Sequence, residues 1–113
     1  MIKMQSMKWV RDAWELRFAI HEGVYHCEDY PVRISHLAFT EDAGLREALS
    51  TVVTGLLLRH MRSGAVPPHA MVLNWGRVRR LCSEEGWPAM MAACHQIDAS
   101  RLSALSGALS NHF

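Results

Sequence analysis

Cysteine is scarce in this chain, and no stretch of apolar residues approaches the roughly 20 positions that a membrane span requires. The three cysteines are an odd number and lie far apart, at Cys27, Cys82 and Cys94. Such spacing gives no disulfide framework and is typical of free thiols in a reducing compartment. The N-terminal residues also lack the uncharged apolar core of a secretory signal. We therefore expect a cytoplasmic protein with no membrane partner.

An excess of charge of either sign is lacking too, because the chain has 12 Lys and Arg and 11 Asp and Glu. A net charge of +1 provides no long-range attraction to nucleic acid or to an anionic membrane. Hydrophobic residues, by contrast, are plentiful and make up 50% of the 113 positions. This composition predicts a single folded domain, residues 1–113, rather than a disordered chain.

Motifs for catalysis, metal binding and cofactor binding are not found either. The seven histidines show no paired ligand spacing, and the neighbours His26–Cys27 and Cys94–His95 are poorly placed to share one ion. A Cys–His nucleophile would need a base, an orienting group and an oxyanion site, none of which the sequence marks. We therefore expect no enzymatic activity, no metal site and no cofactor.

The strongest local pattern predicts a long central helix over about residues 41–63. Thr40 is a suitable N-cap, Arg62 suits the last turn, and Gly64 is a common C-terminal stop. The apolar residues recur every three or four positions, which places them on one helical face. They are Leu45, Ala48, Leu49, Val52, Val53, Leu56, Leu57 and Met61. We expect the rest of the chain to pack against this stripe.

Two segments before the central helix are less clear. In residues 6–22, the large apolar residues from Trp14 to Ile20 alternate as in a strand, but the charged residues gather on one side of a helical projection. The helix accounts for more residues, so we predict an N-terminal amphipathic helix. Residues 24–39 carry β-branched and aromatic residues around a break at 28–31, which predicts a short extended or β piece.

The C-terminal third predicts a trihelical unit. Its first helix runs from about Trp75 to Glu85, its second begins at Pro88, and Asp98 can cap the third. With the central helix and the N-terminal helix, this predicts a mainly α fold in which residues 24–39 are the exception.

Within this third, a small residue, a hydrophobe at the turn and two later hydrophobes stand at a recognisable spacing. They are Ala92, Ile97, Leu102 and Leu105. The segment resembles the helix-turn-helix of Cro-type phage repressors, and the resemblance implies DNA contact by Ser100, Arg101 and Ser103. The chain has Gln96 where the family usually has glycine, and the candidate recognition helix carries one arginine. Trihelical packing without DNA contact explains the same pattern.

Apolar side chains exceed what a domain of this size can readily bury. We predict that part of the excess forms a surface for another protein, since aromatic and Met-rich surfaces adapt well to partners. The predicted partner-binding residues are Trp9, Trp14, Phe18, Leu57, Leu58, Met61, Met90 and Met91. A second copy of the chain could use the same surface, which would give a homodimer.

The length, near-neutral charge, predicted helical content and spare apolar faces fit a small regulator that masks a surface on another protein. The chain as a whole also resembles small quorum-sensing anti-activators of the pseudomonad type, to which it is similar in size. That resemblance implies a bacterial transcription regulator that binds a LuxR-type receptor and disrupts receptor dimers. We therefore predict an inhibitor that masks the dimerisation surface of a transcription factor by protein–protein contact. The alternative prediction is a helix-turn-helix repressor that binds DNA.

Overall fold

The computed structural model describes residues 1–37, 44–62 and 69–110, with side chains described up to residue 99 except that of Glu85. The elements within these residues are β1 (Ile2–Val10), β2 (Ala13–Glu22), β3 (Tyr25–Ser35), α1 (Leu45–Arg62), β4 (Met71–Asn74), α2 (Trp75–Glu85) and α3 (Pro88–Ser110). The strands form one sheet in the order β1-β2-β3-β4, antiparallel except that β4 runs parallel to β3. The fold is mixed α/β, so the predicted mainly α, helical class is wrong.

Residues 6–22 form most of a β-hairpin instead of the predicted amphipathic helix. Arg11 and Asp12 make its two-residue turn, both with positive φ, as the twist of a hairpin favours. The alternating apolar residues of β2 all face the helices and are buried. They are Trp14, Leu16, Phe18 and Ile20. A strand is preferred because it places this whole row on one face, which a helix would have split between core and water.

The extended piece predicted for residues 24–39 is one long strand, β3, which continues through the predicted break. Its break is a bulge at Glu28 and Asp29, where the register with β2 shifts and Asp29 adopts a φ of 55°. β1 has its own bulge at Gln5. The Gln5 side-chain amide reaches across β2, donating to Glu28 Oε2 at 3.2 Å and accepting from the Asp29 backbone N–H at 3.4 Å. The two bulges are thereby held together.

The predicted central helix is confirmed as α1, although Thr40, residues 41–43 and Gly64 lie outside the described residues. The stripe from Leu45 to Leu57 is buried against the inner face of the sheet, in one cluster with the buried residues of β2 and β3. α3 packs on the other side of α1. At their closest approach, a Cβ on Gly55 would lie 2.3 Å from Met90 Sδ.

Up to residue 110, where the described part of the chain ends, the C-terminal third has two helices and not the predicted three. The Asn74 side chain caps α2 by accepting from the Arg77 backbone N–H at 2.9 Å, and Gly86 ends α2 in the left-handed conformation. α3 then continues without a break from Pro88 to Ser110. Asp98 caps no helix, because its carboxylate is bonded to α2: Oδ1 accepts from Trp75 Nε1 at 2.8 Å, and Oδ2 pairs with Arg79 Nε at 3.0 Å.

Among the described residues, none of the helices combines the length and the apolar character needed to cross a membrane.

Candidate functional site

Four of the eight predicted partner-binding residues belong to the core of the monomer. Trp14, Phe18, Leu57 and Met90 are each at most 6% exposed. They stabilise the fold and expose little surface to a partner. The other four residues are half-buried or exposed. They are Trp9, Leu58, Met61 and Met91.

The structure brings Leu58 and Met90 together in a shallow groove of about 300 Å³ between α1 and the start of α3. We call this the α1–α3 groove. It is lined by Ser50, Thr51, Thr54, Gly55, Leu58, Trp87, Ala89 and Met90. The Arg62 guanidinium lies 4.6 Å from the centre of the Trp87 ring and covers that side chain in part. Trp9 is not part of this groove, because it packs edge-to-face on Trp14 at the sheet.

A larger groove of about 480 Å³ lies beside β4, between the C-terminal end of α1 and α2. We call it the β4 groove. It is lined by Leu56, Arg59, His60, Met71, Val72, Leu73, Arg77 and Leu81. The aliphatic members give it an apolar floor, the two arginines and the histidine are basic, and none of the described residues that line it is acidic. Val72 is 70% exposed, which is unusual for a β-branched residue within a strand.

The position of Arg77 is unfavourable for the helix that carries it. The N-terminal end of a helix carries a partial positive charge, so a cation in the first turn destabilises the helix by about 0.3–1 kcal/mol. Arg79, on the same helix, is compensated by its ion pair with Asp98. Arg77 instead lies at the β4 groove, where its cost to the helix is explained if the charge serves binding.

The two edges of the sheet differ in how well they are protected against pairing with another strand. β1 has the Gln5 bulge and the charged side chains of Lys3 and Lys8, which are features that block edge pairing. β4 has no lysine, proline or bulge between Met71 and Asn74. Within the described residues, β4 pairs with β3 alone, so its other side offers unpaired backbone groups.

None of the β4 groove residues was predicted as a site from the sequence. The signal that could have found them is the cluster of arginines at the start of α2, opposed to the helix dipole. The groove itself depends on a short strand that follows the segment 63–68, and the sequence gives no sign of where that strand joins the sheet.

A separate polar cluster lies on the outer face of the sheet, at His21, His26 and Glu28. His21 Nδ1 is 2.9 Å from His26 Nδ1, and His21 Nε2 is 2.5 Å from Glu28 Oε1. Because His21 uses both ring nitrogens in different directions, the three side chains do not converge on one point. In the part of the chain that the structure describes, no three His, Cys, Asp or Glu side chains are arranged to hold a metal ion.

Cys82 and Cys94 form a buried thiol pair between α2 and α3. The hydrogen bond between the two side chains lowers the pKa of Cys82. The same bond, together with burial, raises the pKa of Cys94. Only one thiol of such a pair can readily ionise, and neither is exposed to a substrate. Cys27 is half-buried and lies apart from them.

The residues of the DNA-binding alternative, Ser100, Arg101 and Ser103, lie on α3, but their side chains are outside the described residues. Comparison of the chain with protein family models, with curated proteins and with solved structures found no match.

Proposed function

We propose that this chain is a non-catalytic regulatory protein that acts by binding another protein at the β4 groove. The observation that carries the proposal is the combination of an apolar floor, a basic rim and the exposed Val72 beside a strand edge. An open apolar groove of this kind favours a macromolecular partner, since a small-molecule site is usually more enclosed. The balanced net charge of +1 fits recognition by local contacts.

The particular form that we propose is an anti-activator, in which the bound protein is a transcription factor of the LuxR type and its dimerisation surface is masked. Support comes from the size of the chain and from the β4 groove and the α1–α3 groove, which lie on different sides of α1. An inhibitor of dimers needs only to occupy a surface, so it requires no catalytic group. A homodimer through the same surface is the competing assembly.

The test is site-specific crosslinking in cells of the natural source. A photoreactive residue placed at Val72 is compared with one at Val24, which is fully exposed in the β2–β3 turn, away from both grooves. We expect one partner protein to be crosslinked from position 72 and not from position 24. The captured protein is then purified and mixed with this chain, and light scattering measures the complex and the partner's own dimer.

The variants Val72→Asp, Leu58→Asp and Val24→Asp separate the possible outcomes. We expect Val72→Asp to abolish the reconstituted complex and Val24→Asp to preserve it, in chains that remain folded by circular dichroism. Crosslinks to a second copy only, or to no protein, would contradict the proposal. If Leu58→Asp alone abolishes the complex, the partner docks on the α1–α3 groove and the assignment to the β4 groove is wrong.

A further inference from the structure

We infer that the partner of the β4 groove presents an extended acidic segment, which adds to β4 as a fifth strand of the sheet. This inference rests on the proposed function and deepens it by naming the chemistry of the bound segment. It is carried by three features of the described residues. They are the unpaired side of β4, the different environments on the helix side and the outer side of the sheet beside β4, and the positive charge at the rim of the β4 groove.

The backbone of β4 provides the first feature. Successive residues of a strand direct their N–H and C=O groups to alternate sides, so Met71–Asn74 offers about two residues' worth of donors and acceptors away from β3. An extended peptide pairs with such groups at little cost in geometry. β1, the opposite edge, is blocked by the Gln5 bulge and by Lys3 and Lys8, so addition is directed to β4.

The side chains around β4 provide the second feature. An added strand would point alternate side chains toward the helices and toward the outer face of the sheet. On the helix side they would lie over the apolar floor at Leu73 and Leu81. On the outer side they would lie beside Val72, whose exposed surface would then be partly covered. A segment of alternating polar and aliphatic residues fits both environments.

The charge of the rim provides the third feature and selects the partner. Arg77 stands in the first turn of α2, where the helix dipole adds to its positive charge, and among the side chains that the structure describes no acidic one lines the groove. A carboxylate near Arg77 would offset the unfavourable placement of this arginine. A second copy of the chain brings the same basic groove to the contact, so like charges would oppose symmetric pairing of two β4 edges.

A single-stranded nucleic acid is also an extended anion, but it binds by stacking its bases on aromatic rings. The β4 groove is lined by no Phe, Tyr or Trp of the residues that the structure describes. An acidic peptide therefore fits the groove better than an oligonucleotide does.

The experiment uses the full chain and a fluorescent peptide with the sequence Glu-Val-Asp-Val-Glu-Val. Binding is measured by anisotropy, and the contacted residues are mapped by amide chemical shifts. Two further peptides carry N-methyl groups on alternate residues, one on the odd positions and one on the even. Only one of the two should lose binding, by about tenfold, since a paired strand directs only alternate N–H groups to β4 and two lost bonds are worth about 1.4 kcal/mol. If the peptide were held by charge attraction alone, both methylated peptides should still bind.

Charge is tested on the protein with Arg77→Glu and with the matched control Arg80→Glu. Arg80 is exposed on the same helix but does not line the groove. We expect Arg77→Glu to weaken peptide binding by about tenfold and Arg80→Glu to change it by less than about twofold. Arg77→Glu should fold, because an acidic residue favours the first turn of a helix. Amide shifts should be confined to β4, α2 and the end of α1.

Equal binding of the Glu peptide and a Lys-Val-Lys-Val-Lys-Val peptide would overturn the inference. So would tolerance of both methylated peptides, tighter binding of an oligothymidine, or amide shifts on the outer face near His21. These failures are distinguishable from failure of the proposed function. A crosslinked partner that is lost on Val72→Asp, without peptide binding, leaves the function standing and removes the acidic strand. Peptide binding without a crosslinked partner leaves the acidic strand standing and removes the proposed function.

Discussion

The hydroxyl group of Tyr30 is buried without a hydrogen-bond partner among the described residues, and the side chain is only 1% exposed. Burial raises the pKa of Tyr30 to about 12, with smaller contributions from the negative charges that Tyr25 and Cys27 acquire on ionisation. A buried hydroxyl that lacks a partner costs about 1–3 kcal/mol relative to hydration. Tyr30 is therefore tolerated for its ring, which packs beside Phe18, rather than for its oxygen.

Tyr30→Phe is expected to leave the protein as stable as the wild type, or more stable, at neutral pH. Below pH 10 the tyrosine is protonated in both the folded and the unfolded states, so its titration contributes nothing. Between pH 10 and about 12 the unfolded state loses the proton first, which lowers the free energy of unfolding by about 3 kcal/mol in total. Tyr30→Phe should remove most of that loss, measured by urea unfolding at pH 8, 10 and 11.5.

The control for this prediction is Tyr25→Phe. Tyr25 is only half-buried, so its removal should leave most of the alkaline loss in place. If Tyr30→Phe instead destabilises the protein by 2 kcal/mol or more at pH 7, a figure near the upper range for a lost buried bond, the hydroxyl has a partner that stabilises it.

At the scale of elements, the packing of α1 on α3 depends on the absence of a side chain at Gly55. An added Cβ would lie 2.3 Å from Met90 Sδ and 2.9 Å from Met90 Cγ, so the buried Met90 side chain would have to shift. We expect Gly55→Ala to lower the free energy of unfolding by about 1–3 kcal/mol, although alanine favours the helical conformation by about 1 kcal/mol. Urea unfolding measures the difference.

Gly76→Ala is the matched control, because an added Cβ there would meet only Asn74 Oδ1, at 3.4 Å. On α2, helix propensity should act alone, and Gly76→Ala is expected to be neutral or stabilising by up to about 1 kcal/mol. In a Met90→Ala background the clash is absent, so Gly55→Ala should then stabilise. Stabilisation by Gly55→Ala in the wild-type background would contradict a close contact between Gly55 and Met90.

The sequence predicted α1 well and the sheet poorly, for reasons that lie in particular residues. The stripe from Leu45 to Leu57 is long and keeps the helical period throughout, so the local pattern alone specified the helix. In the N-terminal segment, the alternation from Trp14 to Ile20 was present, but the turn that separates β1 from β2 is Arg11-Asp12. Hairpin turns with two positive φ values usually contain Asn or Gly, so this turn carried no recognisable signal.

The C-terminal helices were predicted in the right place but divided wrongly. Asp98 is a good N-cap residue in isolation, and Gln96 precedes it at a plausible turn. In the structure its carboxylate instead binds Trp75 and Arg79, which lie about 20 residues earlier in the chain. A long-range contact of this kind removed the need for a cap and allowed α3 to continue. The β4 groove was missed for the same reason, since it forms only when α1, β4 and α2 meet.

The net charge of the molecule favours a protein partner over DNA. The 12 basic and 11 acidic residues nearly cancel, so the molecule lacks the strong positive field with which most DNA-binding proteins attract phosphates. Local positive charge at the β4 groove suits a short acidic segment instead. α3 is continuous from Pro88 to Ser110, so a DNA-binding mode would have to present Arg101 without a turn before it.

A gel-shift assay with genomic DNA fragments of the natural source therefore tests whether the protein binds DNA at specific sites. At 150 mM salt we expect no site-specific shift below about 10 µM protein, because a chain that makes few phosphate contacts gains little affinity from counterion release. Arg101→Ala should change nothing in this assay, and the exposed Arg46→Ala serves as the matched control. A specific, salt-sensitive shift that Arg101→Ala weakens and Arg46→Ala does not would replace protein masking with DNA repression. If Val72→Asp abolishes the crosslinked partner and DNA shows no shift, protein masking stands and DNA repression is wrong.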